Sequence, residues 1–303
     1  MQELFSYLIF PGFLFSAAVG LAAGWLDRKV TARIQWRVGP PWHQNFTDIV
    51  KLLVKETILP QRAKFTFLLA PLVGLLSAVL VATILGRSIL LPLESFTGDL
   101  IVILYLLVIP AIAIIIGASA SRNPLASVGA SREMKLVLAY ELPFILSIIA
   151  VIINSGGFIQ MGQILNHQIN FNSNLVSFSG ALAFIVAIFC MQAKLGLVPF
   201  DISEAEQEIM AGTLIEYSGV PLAVFKLTKA VLLYTLPLLL ISLFWAKDLG
   251  ILALILKYVA ILVVIILIKN TNPRLRIDQA MRFFWGPLTL LATLAVILAL
   301  LGL

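Results

Sequence analysis

The sequence predicts an all-α integral membrane protein: about eight transmembrane helices plus a short amphipathic helix on one side. Three observations predict it. The 303-residue chain is 61% hydrophobic and 12% charged, with a mean hydropathy of +1.05, whereas soluble domains carry about 25% charged residues. Its apolar residues fall in runs of about 20, long enough to cross a bilayer as helices. No long window alternates polar with apolar as barrel strands would. There is no repeat and no internal boundary, so residues 1–303 read as one polytopic domain.

Taken in order, spans are expected near 4–26, 66–86, 99–118, 136–153, 178–198, 220–244, 250–268 and 284–302. The first run lacks a basic leader, and Arg28 and Lys29 follow it instead. It therefore reads as a helix that stays, not a cleaved signal. Lys29, Arg33 and Arg37 recur every four residues, which predicts one basic face on a helix continuing out of that span. Gly39-Pro40-Pro41 ends it, since proline cannot donate and restricts the residue before it. In Asn45–Glu56, Ile49, Leu52 and Leu53 share a stripe, with Asp48, Lys51, Lys55 and Glu56 largely off it. Twelve residues cannot span, so the segment predicts an amphipathic helix at the membrane surface. An ordinary connecting helix is the alternative. Pro60 closes it.

Basic residues collect in alternate loops. The 27–64 loop holds Arg28, Lys29, Arg33, Arg37, Lys51, Lys55, Arg62 and Lys64. The 119–135 loop adds Arg122, Arg132 and Lys135, and the 269–283 loop adds Lys269, Arg274, Arg276 and Arg282. The other side has Arg87 and Lys247, with Lys257 inside the seventh run. The basic side is expected to be cytoplasmic, with both termini outside. The net charge of +6 follows from this bias and does not argue for nucleic acid. One cysteine, Cys190, and two distant histidines, His43 and His167, give no metal-ligand spacing. No phosphate-binding glycine motif occurs. No residue is assigned a catalytic, cofactor-binding or metal role, and any redox cofactor is expected in another chain.

Charge is costly inside a membrane and is kept where it functions. Asp201, Glu204, Glu206, Glu208 and Glu216 crowd the basic side with only Lys194 nearby. Ser203 and Glu206 have capping-box spacing, which accounts for Glu206 but not for Glu208 or Glu216. Gly212, Gly219 and Pro221 predict an irregular start to the next span, and irregular backbone at membrane depth lines cavities. Glu141 lies six residues after Lys135, about 9 Å further along a helix. It is either a protonatable relay or a structural carboxylate paired with Lys135, Arg132, Lys226 or Lys229. Lys226 and Lys229, inside the sixth run, either snorkel or face Glu216.

On these residues the chain resembles the membrane subunit of respiratory complex I that contacts the quinone-binding module. That family includes homologues in energy-converting membrane-bound hydrogenases. Asp27-Arg-Lys is similar to the family's Glu-Arg-Lys, and Tyr140-Glu141 matches its Tyr-Glu on the fourth helix. Pro199-Phe-Asp-Ile-Ser-Glu-Ala-Glu206, Glu216-Tyr-Ser-Gly219 and Pro273-Arg-Leu-Arg-Ile-Asp-Gln279 match its later motifs in order. Quinone-reducing members continue Gly-Pro-Asn with a further Gly-Pro, where this chain reads Gly39-Pro-Pro-Trp-His-Gln-Asn45. That departure resembles the group 4 nickel–iron hydrogenase branch and its sulfur-reducing relative.

The resemblance implies a connector subunit of a ferredoxin-linked oxidoreductase complex. Arg28, Lys29, Arg33, Arg37, Arg274, Arg276 and Asp278 would dock a soluble arm that carries iron–sulfur clusters and a nickel–iron site. Glu141, Asp201, Glu204, Glu206, Glu208 and Glu216, with Lys226 and Lys229, would form an ion pathway toward antiporter-like membrane partners. A residual pocket is expected near Arg37 and Asp201. Three alternatives stay open: a quinone-module anchor of a complex I-type dehydrogenase, a stand-alone ion-coupled secondary transporter, and a structural anchor without an ion path.

Overall fold

A computed structural model describes residues 2–60 and 64–303, without the side chains of Gln2, Glu3, Glu206 and Gln207. Arg62 lies outside these residues. The described residues form an all-helical bundle. Seven helical segments are long and apolar enough to cross a membrane. They comprise α1 (Gln2–Leu8) and α2 (Phe13–Ile34) counted together from Leu4, α4 (Lys64–Leu90), α5 (Asp99–Ala120), α6 (Pro124–Asn154), α10 (Gly219–Phe244), α11 (Ile251–Thr271) and a last segment (Ile277–Leu300) that opens with α12 (Ile277–Phe283). The eighth expected span is the shorter α8 (Phe178–Lys194). It covers 17 residues, about 25 Å, and stops because Gly196 turns at φ +60 ahead of Pro199.

Central placement falls to α10. In its most apolar window 83% of residues are buried, against 28% in α11 and in the last segment. It packs on α2, α4, α3 (Gln44–Val54), α8 and α11, while α6, α8 and α13 (Thr289–Leu300) form a second packed group. The contact of α2 with α10 depends on Gly20, where a Cβ would sit 2.0 Å from the Ala230 carbonyl oxygen.

Three expectations are corrected here. The basic helix does not carry Arg37. It ends at Ile34, because Trp36 takes φ 59, and Trp25 Nε1 donates to the Pro40 carbonyl at 3.2 Å, folding the turn back. The 119–135 loop shrinks to a turn, and Arg132 and Lys135 ride on α6. Asn123 caps that helix, its Oδ1 accepting from Leu125 N at 2.9 Å with Pro124 at the first position, a strong start signal. The Ser203/Glu206 capping box does not form. Ser203 lies in a 3-10 turn (Ile202–Glu204), and the four-residue α9 (Glu206–Ile209) starts from Ala205, which has no capping oxygen.

The amphipathic helix appears as α3. Of its stripe Ile49 is buried, Leu52 half-buried and Leu53 exposed, and Val50 and Val54 beside it are exposed too. The 154–176 loop contains a helix, α7 (Met161–Asn170), which hydropathy did not signal.

Candidate ion path and docking face

The segment between α8 and α10 is held by charge on every side. Arg274 Nη2 pairs with Asp201 Oδ2 at 2.6 Å, and Leu275 N donates to the Pro199 carbonyl at 3.1 Å. The last basic loop is thereby hooked onto the acidic one. Burial pushes the Asp201 carboxyl above the usual carboxylate range, with Arg274 opposing it. Asp201 Oδ1 is buried without a hydrogen-bond partner among the described residues. Arg132 reaches from α6 to Glu208 at 2.6 Å and to the Ile202 carbonyl at 3.4 Å. Deeper in, Glu204 pairs with Lys229 of α10. Ser203 hydrogen-bonds to Glu133 of α6, which is buried near Glu204 and Lys229. Gly129 allows this approach: a Cβ there would lie 2.7 Å from Thr213 N and 3.0 Å from the Ser203 carbonyl oxygen.

Further along α6, Glu141 pairs with Lys194, the last residue of α8. The Lys194 ammonium also sits 4.8 Å from the Tyr140 ring centroid and 4.9 Å from that of Phe144. Its side chain is 3% exposed, against 19% for Glu141. The partner of Glu141 is therefore none of Lys135, Arg132, Lys226 and Lys229. A cavity of about 30 Å³ touches Glu133, Tyr140, Lys194, Ser203, Glu204 and Lys229, which is room for about one water. Asp201, Glu204, Glu133 and Glu141 thus lie along a polar line from the basic end into the bundle. Beyond Tyr140 the packing turns dry: Phe144, Ile148 and Val151 of α6, and Leu239, Leu240, Leu243 and Phe244 of α10, are all buried.

Other expected members stand elsewhere. Glu216 is exposed and accepts from Asn123 Nδ2 at 2.6 Å, so it pairs with neither Lys226 nor Lys229. Tyr217 stacks on Phe67 at 4.0 Å between centroids, and its hydroxyl donates to the Phe67 carbonyl at 3.2 Å. Ser218 Oγ accepts from Ile58 N at 3.1 Å, and Gly219, at φ +60, lets the Lys55 and Glu56 carbonyls and Thr57 approach. The Glu216–Gly219 motif is a clasp for the linker after α3. Lys226 is exposed, with no partner among the described residues. Glu206 opens α9, and its side chain lies outside the described residues.

The docking candidates divide likewise. Arg28 is committed to Asn45 at 2.7 Å and Asp48 at 3.3 Å, Asp27 to Lys269 at 2.7 Å, and Arg274 to Asp201. These pairs bind the chain to itself. Arg33, Arg37, Arg276 and Asp278 are exposed and Lys29 is half-buried. No contact joins Arg37 to Asp201. A cavity of about 340 Å³ lies instead between α2, α3 and α10. Sequence reasoning missed Glu133, and it noted Lys194 only as the lone base near the acidic segment, not as the partner of Glu141. The signal for Glu133 was the 133, 137, 140, 144 spacing, which puts it on the buried face with Tyr140.

The NADH dehydrogenase family model matches residues 7–300. An NADH-quinone oxidoreductase subunit of Thermomicrobium roseum is 34% identical over 322 residues, covering 96% of this chain and 94% of that one. Its counterpart in Syntrophotalea carbinolica is 32% identical, covering 89% and 87%. Among solved structures, the fold is similar to a chain of the membrane-bound sulfane sulfur reductase, an archaeal respiratory membrane complex. The TM-score is 0.90 at 29% identity, covering 99% of this chain and 100% of that one.

Proposed function

The chain belongs to the NADH dehydrogenase family, and from that premise we propose that it is the membrane connector of a ferredoxin-linked respiratory complex. In this reading the basic end is cytoplasmic. Arg33, Arg37, Arg276 and Asp278, with Lys29, dock a soluble arm of iron–sulfur and hydrogenase-like subunits that holds the clusters and a nickel–iron site. Asp201, Glu204, Glu133 and Glu141 carry the effect of redox turnover toward antiporter-like membrane subunits, which move protons or sodium ions.

One observation carries the reading: a line of partly paired carboxylates enters from the basic end and stops at Glu141 in mid-bundle. Charges in such a poorly screened interior sense each other. A change at Asp201 or Glu204 alters the protonation balance of Glu133 and, across a cavity with room for about one water, that of the Lys194–Glu141 pair. The dry packing beyond Tyr140 favours lateral hand-over to a neighbouring chain.

Glu141→Gln keeps the shape and removes the charge. The complex assembles and reduces its acceptor, and ion pumping in sealed vesicles falls at least about tenfold, as loss of a single relay group gives. Unchanged pumping rejects the relay. A complex that falls apart makes Glu141 a structural partner of Lys194. Orientation is tested by single cysteines at Arg122 and Asn172: a reagent confined to the outside labels only Asn172→Cys.

A quinone-linked reading has support from the relatives' names and from the 340 Å³ cavity. Against it stands Pro41, where quinone-using relatives keep Asn. Turnover with ferredoxin in quinone-depleted liposomes separates the two. Activity that needs added quinone, or that a headgroup-mimicking inhibitor abolishes, places the chain in the quinone-reducing branch.

A further inference from the structure

The cavity between α2, α3 and α10 has a volume of about 340 Å³ and runs along α2 from Gly20 to Arg28, about 12 Å of helix. Five ionisable side chains line it: Asp27, Arg28, Asp48, Lys226 and Lys229. Four are neutralised within the chain. Asp27 pairs with Lys269 at 2.7 Å, Arg28 with Asp48 at 3.3 Å, and Lys229 with Glu204. Lys226 has no partner among the described residues and is exposed to the cleft. It stands seven residues into α10, about 10 Å from the start of that helix. Among the described residues the cleft therefore holds one positive charge in surplus, about two turns into an apolar helix, where an uncompensated ammonium is costly.

The rest of the lining says what kind of anion fits. Leu21, Ile49, Leu197 and Leu233 make an apolar wall. Over it lies α3, whose Val50, Leu53 and Val54 are exposed, as for an amphipathic helix set at headgroup level. We propose that this cleft binds an anionic lipid of the leaflet on the basic side, with Lys226 paired to the headgroup phosphate and the first acyl methylenes on the apolar wall. The Arg28–Asn45 and Arg28–Asp48 contacts hold α3 as the rim of the site. A neutral carbonyl headgroup would leave the surplus charge standing, whereas a phosphodiester removes it. The inference rests on the charge balance of the cleft and not on the coupling role proposed above.

The test uses the purified complex reconstituted with phosphatidylglycerol, washed in detergent, and assayed for retained lipid by mass spectrometry. Wild type and Lys226→Arg retain one phosphatidylglycerol more per complex than Lys226→Gln, and Lys226→Gln binds it at least about fivefold more weakly, as loss of about 1 kcal/mol for one basic residue gives. Inorganic phosphate supplied in place of lipid does not displace it. Equal retention by all three proteins overturns the proposal. So does displacement by inorganic phosphate, which marks a simple anion site. Retention of a quinone in a Lys226-dependent manner assigns the cleft to that ligand instead. Intact assembly of each variant, checked by gel filtration, keeps the comparison valid, and loss of assembly in Lys226→Gln alone makes the residue structural and rejects the site.

Discussion

The two ends of the bundle handle buried charge differently. At the basic end, charged side chains meet charged side chains: Asp201 with Arg274, Glu204 with Lys229, Glu208 with Arg132 and Glu141 with Lys194. At the opposite end the Arg87–Glu94 pair lies at the surface, and the buried polar side chains close the backbone. Gln168 Nε2 donates to the Ser242 and Leu243 carbonyls, both at 3.0 Å, and its Oε1 accepts from Ala246 N at 3.0 Å. Asn174 Nδ2 donates to the Leu243 carbonyl at 2.8 Å. Lys257 Nζ donates to the Trp245 and Asp248 carbonyls at 2.9 and 2.6 Å, and Asp99 Oδ1 accepts from Met161 N at 2.7 Å. These groups satisfy carbonyls, and at Met161 and Ala246 amide groups, that helix ends leave unpaired. In the reading proposed above, the charged end exchanges protons and partners while the other is fastened. That division suits a chain whose path enters from one side only.

The largest effect is expected where a buried pair is broken. Lys194→Met strands Glu141, at a cost of about 3–5 kcal/mol while the carboxylate stays ionised. The double variant Lys194→Met with Glu141→Met recovers most of that stability, because an apolar replacement of a buried pair is nearly neutral. Thermal unfolding of the detergent-solubilised complex measures both, and ion pumping stays lost in the double variant. A double variant that pumps breaks the comparison.

At the fastened end, Gln168→Leu leaves backbone groups of α10 unpaired and costs about 1–3 kcal/mol. Pumping per electron in the complexes that remain is unchanged. A fall in that ratio shows that the opposite end takes part in coupling. Gly219→Ala acts in between. A left-handed φ and the crowding by Lys55, Glu56 and Thr57 make it destabilising by about 1–3 kcal/mol, read as faster proteolysis of the linker after α3.

How much of this was legible in the sequence depended on the kind of signal. The apolar runs of α4, α5, α10 and α11 announced themselves, because about 20 such residues have one use. The start of α6 was readable too: Asn123-Pro124 is a cap followed by a first-position proline, and a hydropathy window hid it by weighing Arg132 and Lys135 as loop. The stop of α2 was not readable, since the left-handed turn falls on Trp36, a residue without that preference. Sequence spacing brought Glu141 forward but not its partner, because Lys194 lies 53 residues away and meets it only through the packing of α6 on α8. The Glu216 motif was found for its charge, and its work is mechanical. The polar residues at the fastened end, Gln168 and Asn174, carry no charge bias and have no periodicity to betray them.

The smallest effect concerns Asp201. Burial raises its folded pKa above the unfolded value, so the folded state holds the proton more tightly. Stability from this group is greatest below the unfolded pKa and declines as pH rises through the window up to the raised folded value. Asp201→Asn flattens that slope in unfolding measured across mildly acidic pH. A steeper slope reverses the assigned sign and makes the Arg274 pairing dominant.

The one-ended path is tested most directly by cysteine accessibility along α6, in a Cys190→Ser background and in the reconstituted complex. Single cysteines are placed at Glu133, Val137, Ser147 and Val151 and challenged from each side with a small water-soluble thiol reagent. Labelling is expected at Glu133→Cys from the basic side, weaker at Val137→Cys, and at neither Ser147→Cys nor Val151→Cys from either side. Reaction of Ser147→Cys or Val151→Cys from the opposite side would show water crossing beyond Tyr140, and would contradict a path that ends at Glu141.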